Sequence, residues 1–193
     1  MSLTIKNLTK KFDDKIILDN FSCHFSSTGI YILKGESGIG KTTLLRMIAG
    51  LDCDYLGEVI GGGIGKVGLA FQEYRLFPQL TAIENVDFAN SDRNSKAEFD
   101  KAEEMLLLLG LKKQDLSLLP EALSGGMKQR VSLARALISD YPILLFDEPT
   151  KELDEENAKR FVDLIRNLAK SKLIIIVSHS DEDYGPSAEY LYF

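Results

Sequence analysis

The chain has 193 residues and a formal net charge of −6, from 23 Lys and Arg against 29 Asp and Glu. This length predicts one domain with a substantial core. The acidic balance argues against nucleic acid as the main partner, because nucleic-acid-binding surfaces carry excess positive charge. Cys23 and Cys53 lack metal-binding or disulfide spacing, which favours a reducing cytosol. The apolar runs are shorter than the roughly 18 residues of a spanning helix, so we expect membrane association only through a partner.

The first third of the chain predicts strands, a glycine-rich loop and a helix. Alternating apolar and polar residues predict strands over 3–8 and 15–26, and an apolar run predicts a third over Ile30–Leu33. The loop Gly35–Thr43 follows directly. The apolar residues that then recur at helical spacing are Leu44, Leu45, Ile48 and Leu51.

The segment 59–71 predicts a hairpin or strand pair with a flexible tip. Val59-Ile60 and Val67–Phe71 have strand-like composition, and Gly61–Gly65 between them contains four glycines. The spacing Gly63-x-Gly65-x-x-Gly68 matches a dinucleotide fingerprint. That fingerprint must open a helix, whereas here it leads into a strand, so we do not assign a nucleotide site to it.

The rest of the chain predicts a helical lobe and then a return to alternating strands and helices. Amphipathic helices are predicted from Thr81 onward, over Lys96–Leu109 and over Ser124–Asp140. The later predicted elements are a buried strand Ile143–Phe146, a helix over about 154–170, a buried strand Leu173–Val177 and a short last strand Glu189–Phe193. Apolar strands alternating with helices indicate an α/β fold with a mostly parallel sheet covered on both faces.

The loop after the third strand has the pattern of a phosphate-binding loop, Gly-x4-Gly-Lys-Thr, between a strand and a helix. Glycines let backbone N–H groups surround phosphate oxygens, and the helix N-terminus adds partial positive charge. Lys41 is expected to contact the β- and γ-phosphates, and to be solvated when the loop is empty; Thr42 is expected to ligate Mg²⁺. A plain glycine turn would need neither residue. The predicted nucleotide-binding residues here are Gly35, Glu36, Ser37, Gly38, Ile39, Gly40, Lys41, Thr42 and Thr43.

Two carboxylates end the buried strand at Ile143–Phe146. Asp147 and Glu148 follow it directly, at the edge of a parallel sheet where ligands bind. Asp147 suits a carboxylate that holds Mg²⁺ through water, and Glu148 suits a base that deprotonates the attacking water. Alone, the pair could be a solvated acidic turn; beside a phosphate loop, the magnesium interpretation is favoured.

The stretch Leu123–Arg130, Leu-Ser-Gly-Gly-Met-Lys-Gln-Arg, resembles the signature motif of the ATP-binding cassette (ABC) ATPase family. By itself it could be an ordinary helix capped by serine. The resemblance covers essentially the whole chain and implies a P-loop NTPase fold, with an N-terminal antiparallel β part and an inserted helical subdomain. It implies a single domain 1–193, with the core at about 1–72 and 140–193 and the helical subdomain at about 73–139.

In this family the signature motif faces the ATP held by a second subunit. The resemblance therefore implies a homodimer, or a pair with a similar ATPase subunit, in which Ser124, Gly125 and Gly126 contact the partner's nucleotide. The chain departs from the family at Met127, where glutamine is usual, and at Lys151 and Glu152, where small residues are usual.

The resemblance also implies roles for four single residues. Gln72 would contact Mg²⁺ or the attacking water, and His179 would contact the γ-phosphate. Phe12 would stack on adenine, although a lone aromatic there could equally belong to the core. Asp154 matches a loop that crosses between subunits, and it could at the same time cap the following helix.

The implied function is that of the ATP-hydrolysing subunit of an ABC transporter, with ATP and Mg²⁺ as cofactors. Its partners would be transmembrane permease subunits, which the helical lobe would contact from the cytoplasmic face of the membrane. The segment 71–86 is most similar to bacterial solute importers. The alternatives are a non-transport ABC ATPase that acts on nucleic acid or ribosomes, and a nucleotide sensor without activity. We expect no cargo-sensing module in this chain.

Overall fold

A computed structural model describes residues 2–13, 15–90, 96–179 and 183–193. The chain divides into two compact units. The first comprises Met1–Leu69, Tyr141–Asp147 and Ile165–Phe193, and the second comprises Ala70–Asp140 and Glu148–Leu164. Among the described residues, no helix is both long enough and apolar enough to cross a membrane.

Eight strands and five α-helices make up the described fold. The strands are β1 (Leu3–Phe12), β2 (Lys15–Phe25), β3 (Gly29–Lys34), β4 (Leu56–Ile60), β5 (Val67–Ala70), β6 (Ile143–Asp147), β7 (Leu173–Val177) and β8 (Ala188–Tyr192). The helices are α1 (Lys41–Ile48), α2 (Ala82–Asp87), α3 (Lys96–Leu108), α4 (Gly125–Ile138) and α5 (Glu155–Leu168). Short 3-10 turns lie at Lys113–Asp115 and Pro120–Ala122.

The strands form two sheets. An antiparallel sheet has the order β2-β1-β4, and a five-stranded sheet has the order β5-β6-β7-β3-β8. In the second sheet β3 pairs in parallel with β7 and β8, and β6 pairs in parallel with β7. Every residue of β6 and β7 is buried, which explains why both strands are continuous apolar runs in the sequence. The side chains of α1 pack in the core of the first unit with residues of both sheets.

The predicted hairpin at 59–71 is wrong, because its two strands belong to different sheets. β4 pairs with β1, whereas β5 is the edge strand beside β6. The intervening glycines are also not a free tip. The amide of Gly63 donates to the Ile48 carbonyl at 2.9 Å, and a Cβ on Gly62 would collide with that carbonyl oxygen.

Helix boundaries follow local capping chemistry. Thr81 caps α2 in a capping box with Glu84, and Ser124 caps α4 by accepting a hydrogen bond from the Met127 amide. The prediction that extended α1 to Leu51 is wrong. The helix ends at Ile48, Gly50 turns the backbone with φ +73°, and Leu51 lies exposed beyond it.

Candidate functional site

The loop between β3 and α1 has backbone conformations that require glycine. Gly38 and Gly40 have φ of +81° and +117°, in the region that side chains rarely adopt. A Cβ on Gly40 would lie 2.5 Å from the Ile17 side chain, so the loop packs tightly against β2 there. A Cβ on Gly38 would meet no described atom within 4 Å. The loop is therefore closed against the protein at Gly40 and open on its other side at Gly38.

Lys41 is the first residue of α1. The sequence led us to expect a solvated side chain, but the structure shows a buried one. Its ammonium donates to the Gly35 carbonyl at 2.7 Å and to the Glu36 carbonyl at 2.8 Å. The residue is 5% exposed. These bonds hold the cation within the loop before any ligand arrives, because two carbonyl oxygens satisfy donors that would otherwise need water.

Thr42 and Asp147 lie in contact although 105 positions separate them. The Thr42 hydroxyl donates to Oδ2 of Asp147 at 2.7 Å. Burial raises the pKa of the Asp147 carboxyl, while the Thr42 hydrogen bond and the charges of Lys41, Arg46 and His179 partly offset that effect. A buried carboxylate beside a hydroxyl is a donor set that suits a hard cation such as Mg²⁺. These residues therefore fit a magnesium-nucleotide site.

A depression of about 260 Å³ lies beside the loop, lined by Lys15–Ile17 of β2 and by Glu36–Ile39. Phe12 is opposite Lys15 in the β1–β2 register. Its side chain is 48% exposed, so the sequence alternative that placed this ring in the core is wrong.

Sequence reasoning missed the support beneath Phe12. The Lys10 ammonium lies 4.8 Å from the ring centroid and forms an ion pair with Asp52 at 3.0 Å. Burial opposes the charge on Lys10, but hydrogen bonds and charges from Asp52 and Asp54 outweigh it and raise the pKa of the lysine. The missed signal was the pair of carboxylates in the loop after α1, which no local pattern connects to β1.

Glu148 is the first residue of the second segment of the second unit, and it lies in a turn with an unusual backbone. Its φ is +51° and its side chain is 9% exposed. Gln129 of α4 is buried and donates from Nε2 to the Pro149 carbonyl at 3.0 Å. Asp154 caps α5, since its carboxylate accepts from the Asn157 amide at 2.9 Å and from the Asn157 side chain. The predicted cap at Asp154 is confirmed.

The N-terminus of α4 combines two glycines with a nearby carboxylate. A Cβ on Gly126 would lie 2.7 Å from the Glu152 carbonyl, and one on Gly125 would lie 3.3 Å from both a Glu152 carboxylate oxygen and the Tyr74 hydroxyl. Burial, and then the charge of Glu152, raise the pKa of Tyr74. Glycine is needed at position 126 because the Glu152 backbone approaches the helix closely there.

The site residues predicted from the sequence lie in both units. In the first unit the structure brings together the loop Gly35–Thr43, Asp147 and His179, which is exposed after β7. In the second unit lie Glu148, the α4 N-terminus at Ser124–Gly126, and Gln72, which is exposed after β5.

Comparison with known proteins identifies the family. Residues 18–151 match the family model described as ABC transporter. The chain belongs to the ABC transporter family. Its strands and helices match a solved cassette, described as the dimeric structure of MJ0796, a bacterial ABC transporter cassette. The TM-score is 0.85 at 31% identity, over 98% of this chain and 94% of that one. The predicted fold, with an antiparallel N-terminal sheet, a parallel core and a helical insertion, is confirmed.

Two relatives of this cassette are named as import ATP-binding proteins. It is 39% identical over 178 residues to the Fe(3+) ions import ATP-binding protein FbpC of Brucella suis biovar 1, covering 86% of this chain and 50% of the relative. It is 43% identical over 159 residues to the aliphatic sulfonates import ATP-binding protein SsuB of Rhodopseudomonas palustris, covering 80% of this chain and 56% of the relative. The chain thus spans about half the length of these relatives. A second solved structure, of MJ0796 in a post-hydrolysis state bound to ADP and Pi, aligns with a TM-score of 0.81 at 32% identity, over 92% of this chain and 88% of that one.

Proposed function

We propose that this cassette binds Mg-ATP and hydrolyses it to power solute import through transmembrane permease partners. The observation that carries the proposal is the 2.7 Å hydrogen bond from Thr42 to Asp147, beside a loop that already holds the Lys41 ammonium. A hydroxyl, a buried carboxylate and a cation converge there, and this is the chemistry that a metal-bound triphosphate requires.

Binding begins with the first unit. Backbone N–H groups of Gly35–Thr43 and the N-terminus of α1 contact phosphate oxygens, and Lys41 exchanges its carbonyl partners for the β- and γ-phosphates. Thr42 and Asp147 would hold the metal, and Gln72 would be a further ligand. Mg²⁺, when bound, neutralises charge that develops on the phosphates. Adenine lies over the exposed ring of Phe12, next to the depression between β2 and the loop.

Hydrolysis requires a base for the attacking water, and Glu148 is the candidate because it directly follows Asp147. Its carboxylate would accept a proton from the water as the water oxygen bonds to the γ-phosphorus. The bond from that phosphorus to the β,γ-bridging oxygen would break, so that ADP leaves with the bridging oxygen and inorganic phosphate is released. Such a base contributes roughly 10²–10⁴ to the rate. His179, which follows β7, contacts the γ-phosphate and holds it in line.

A second subunit completes the site. Ser124, Gly125 and Gly126 present the N–H groups at the start of α4, which suit an anion supplied by another chain, in a homodimer or with a similar subunit. The solved relative MJ0796 is described as dimeric, which supports this arrangement. The permeases would place the cassette at the cytoplasmic face of the membrane. Because FbpC and SsuB are named for chemically different solutes, the proposal extends to import and not to a particular solute.

Glu148→Gln tests the proposal, because glutamine keeps the size and hydrogen bonding of the side chain but cannot take a proton. We expect the wild-type chain to hydrolyse ATP. The variant should lose hydrolysis, retain ATP and elute as a dimer with ATP and as a monomer with ADP, by size-exclusion chromatography with light scattering.

Glu104→Gln provides the matched control, since it makes the same change at an exposed position of α3. It should hydrolyse ATP like wild type. A Glu148→Gln protein that stays monomeric in saturating ATP at low salt would remove support for the shared site. A fully active variant would reassign the base, with His179 as the next candidate.

A further inference from the structure

The turn that carries Glu148 has an uncommon backbone conformation. A non-glycine residue at φ +51° is rare and costs free energy, so the surrounding structure must hold it. Within the turn, the Lys151 amide contacts the Glu148 carbonyl at a long 3.4 Å, and the Leu153 amide donates to Thr150 at 3.0 Å. The first of these bonds is long, and neither of them uses the Pro149 carbonyl.

Gln129 bonds the Pro149 carbonyl from outside the turn. Its side chain is 1% exposed and its Nε2 donates to the Pro149 carbonyl at 3.0 Å. Proline has no backbone N–H, so this carbonyl is its one hydrogen-bonding group. A hydrogen bond between a buried amide and a buried carbonyl is a rigid link, because each group would lose its partner without gaining a bond to water if the two separated.

The link joins two parts of the proposed machinery. Gln129 stands in the second turn of α4, the helix whose first residues, after the Ser124 cap, would contact the partner's nucleotide. Pro149 is bonded directly to Glu148. We propose that Gln129 is a positioning residue: through the Pro149 carbonyl it holds Glu148 in the orientation needed to take a proton. This inference rests on the proposed role of Glu148 as base.

Gln129→Met tests the link because methionine matches glutamine in length and can remain buried, but it cannot donate a hydrogen bond. We expect kcat for ATP hydrolysis to fall roughly 10- to 100-fold, because small misplacement of a reacting group has effects of that size. KM for ATP and ATP-dependent dimer formation should stay unchanged. Gln114→Met, at an exposed position of a 3-10 turn, provides the matched control and should match wild type.

A double variant separates positioning from general damage. In a Glu148→Gln background the base is already absent, so adding Gln129→Met should leave the residual single-turnover rate unchanged. Loss of the same factor in both backgrounds would overturn the inference, and so would an unchanged kcat in the single variant.

Gln129→Glu provides a second readout that remains informative if the methionine variant folds poorly. A protonated glutamic acid can donate to the Pro149 carbonyl, whereas the ionised form cannot. The ratio of its kcat to that of wild type should therefore rise as the pH falls. A flat ratio would contradict the inference. Full activity of Glu148→Gln alone would instead overturn the proposed function on which the inference rests.

Discussion

Two helix N-termini in this chain have the composition of anion-binding sites, but they are equipped differently. At α1, Gly38 and Gly40 adopt positive φ angles that shape the loop, and Lys41 places a buried cation within it. At α4, glycines also clear the backbone and Ser124 caps the helix. The Glu152 carboxylate lies beside Gly125, and the nearby Arg130 guanidinium already donates to the Gly126 carbonyl at 3.0 Å and to the Gly110 carbonyl at 2.7 Å. The helix dipole is common to both, but only the first has a lysine at its first helical position.

The comparison leads us to expect that the α1 site can bind a triphosphate by itself, whereas the α4 terminus cannot. A triphosphate carries several negative charges. Lys41 can neutralise one of them, and the magnesium ion that Thr42 and Asp147 are proposed to hold would neutralise two more, all within one unit. The α4 terminus has no such cation at its first position, and a helix terminus alone contributes only about 0.3–1 kcal/mol at an exposed site. In the proposed dimer it would therefore strengthen an association that the α1 site has already begun.

The largest expected effect comes from removing the cation of the first site. Lys41→Ala should abolish hydrolysis and weaken Mg-ATP binding by about 10- to 100-fold, because hydrogen bonds to charged groups contribute about 1.5–3 kcal/mol. Titration calorimetry measures the affinity. Lys151→Ala, which removes an exposed lysine of the second unit, is the control. Unchanged affinity in Lys41→Ala would mean that the lysine does not give the α1 terminus an advantage in binding ATP.

A second substitution should change only ATP-dependent dimer formation. Adding Ser124→Arg to Glu148→Gln places a bulky side chain where the partner's γ-phosphate would lie, so the protein should stay monomeric in ATP. Its affinity for ATP as a monomer should match that of Glu148→Gln. Light scattering and calorimetry on the same samples separate the two quantities. Loss of monomer affinity would show that the α4 terminus acts within its own chain.

The smallest effect concerns the carboxylate at the second site. Glu152→Gln removes negative charge next to the N-terminus of α4, so a Glu148→Gln protein that carries it should dimerise at lower ATP. We expect a shift of about two- to fivefold, in line with helix-terminus electrostatics, and a smaller shift at high salt. Glu155→Gln, in the exposed first turn of α5, is the control. A shift in the opposite direction would make Glu152 a favourable contact in the dimer.

Features set by local sequence were predicted well. β7 has the predicted bounds, and β6 is one residue longer than predicted. Strands that are buried on both faces consist of consecutive apolar residues, so the sequence shows where they begin and end. The caps at Ser124 and Asp154 follow from side chains that bond amides three residues away. The phosphate loop was recognised by spacing for the same reason, since its backbone conformation depends on glycines within it.

Features set by distant parts of the chain were missed. The hairpin at 59–71 failed because strand pairing is decided by partners elsewhere, β1 for β4 and β6 for β5. Lys41 was expected in solvent because spacing does not reveal where carbonyl oxygens point. The bond from Gln129 to Pro149 joins residues twenty positions apart with no motif in common. The roles of Gln72, His179 and Phe12 stay predictions.

Helix α1 is fastened at both of its ends. Gly40 abuts Ile17 of β2 at the start, and the Ile48 carbonyl receives the Gly63 amide just beyond β4 at the finish. Both anchors belong to the neighbourhood of the antiparallel sheet that carries Phe12. These contacts hold α1 and its loop against the sheet that carries Phe12. With adenine on Phe12 and the phosphates in the loop, as proposed, the site would favour ligands whose flat ring and phosphate chain are separated by the matching length, and shorter ligands would leave one end unbound.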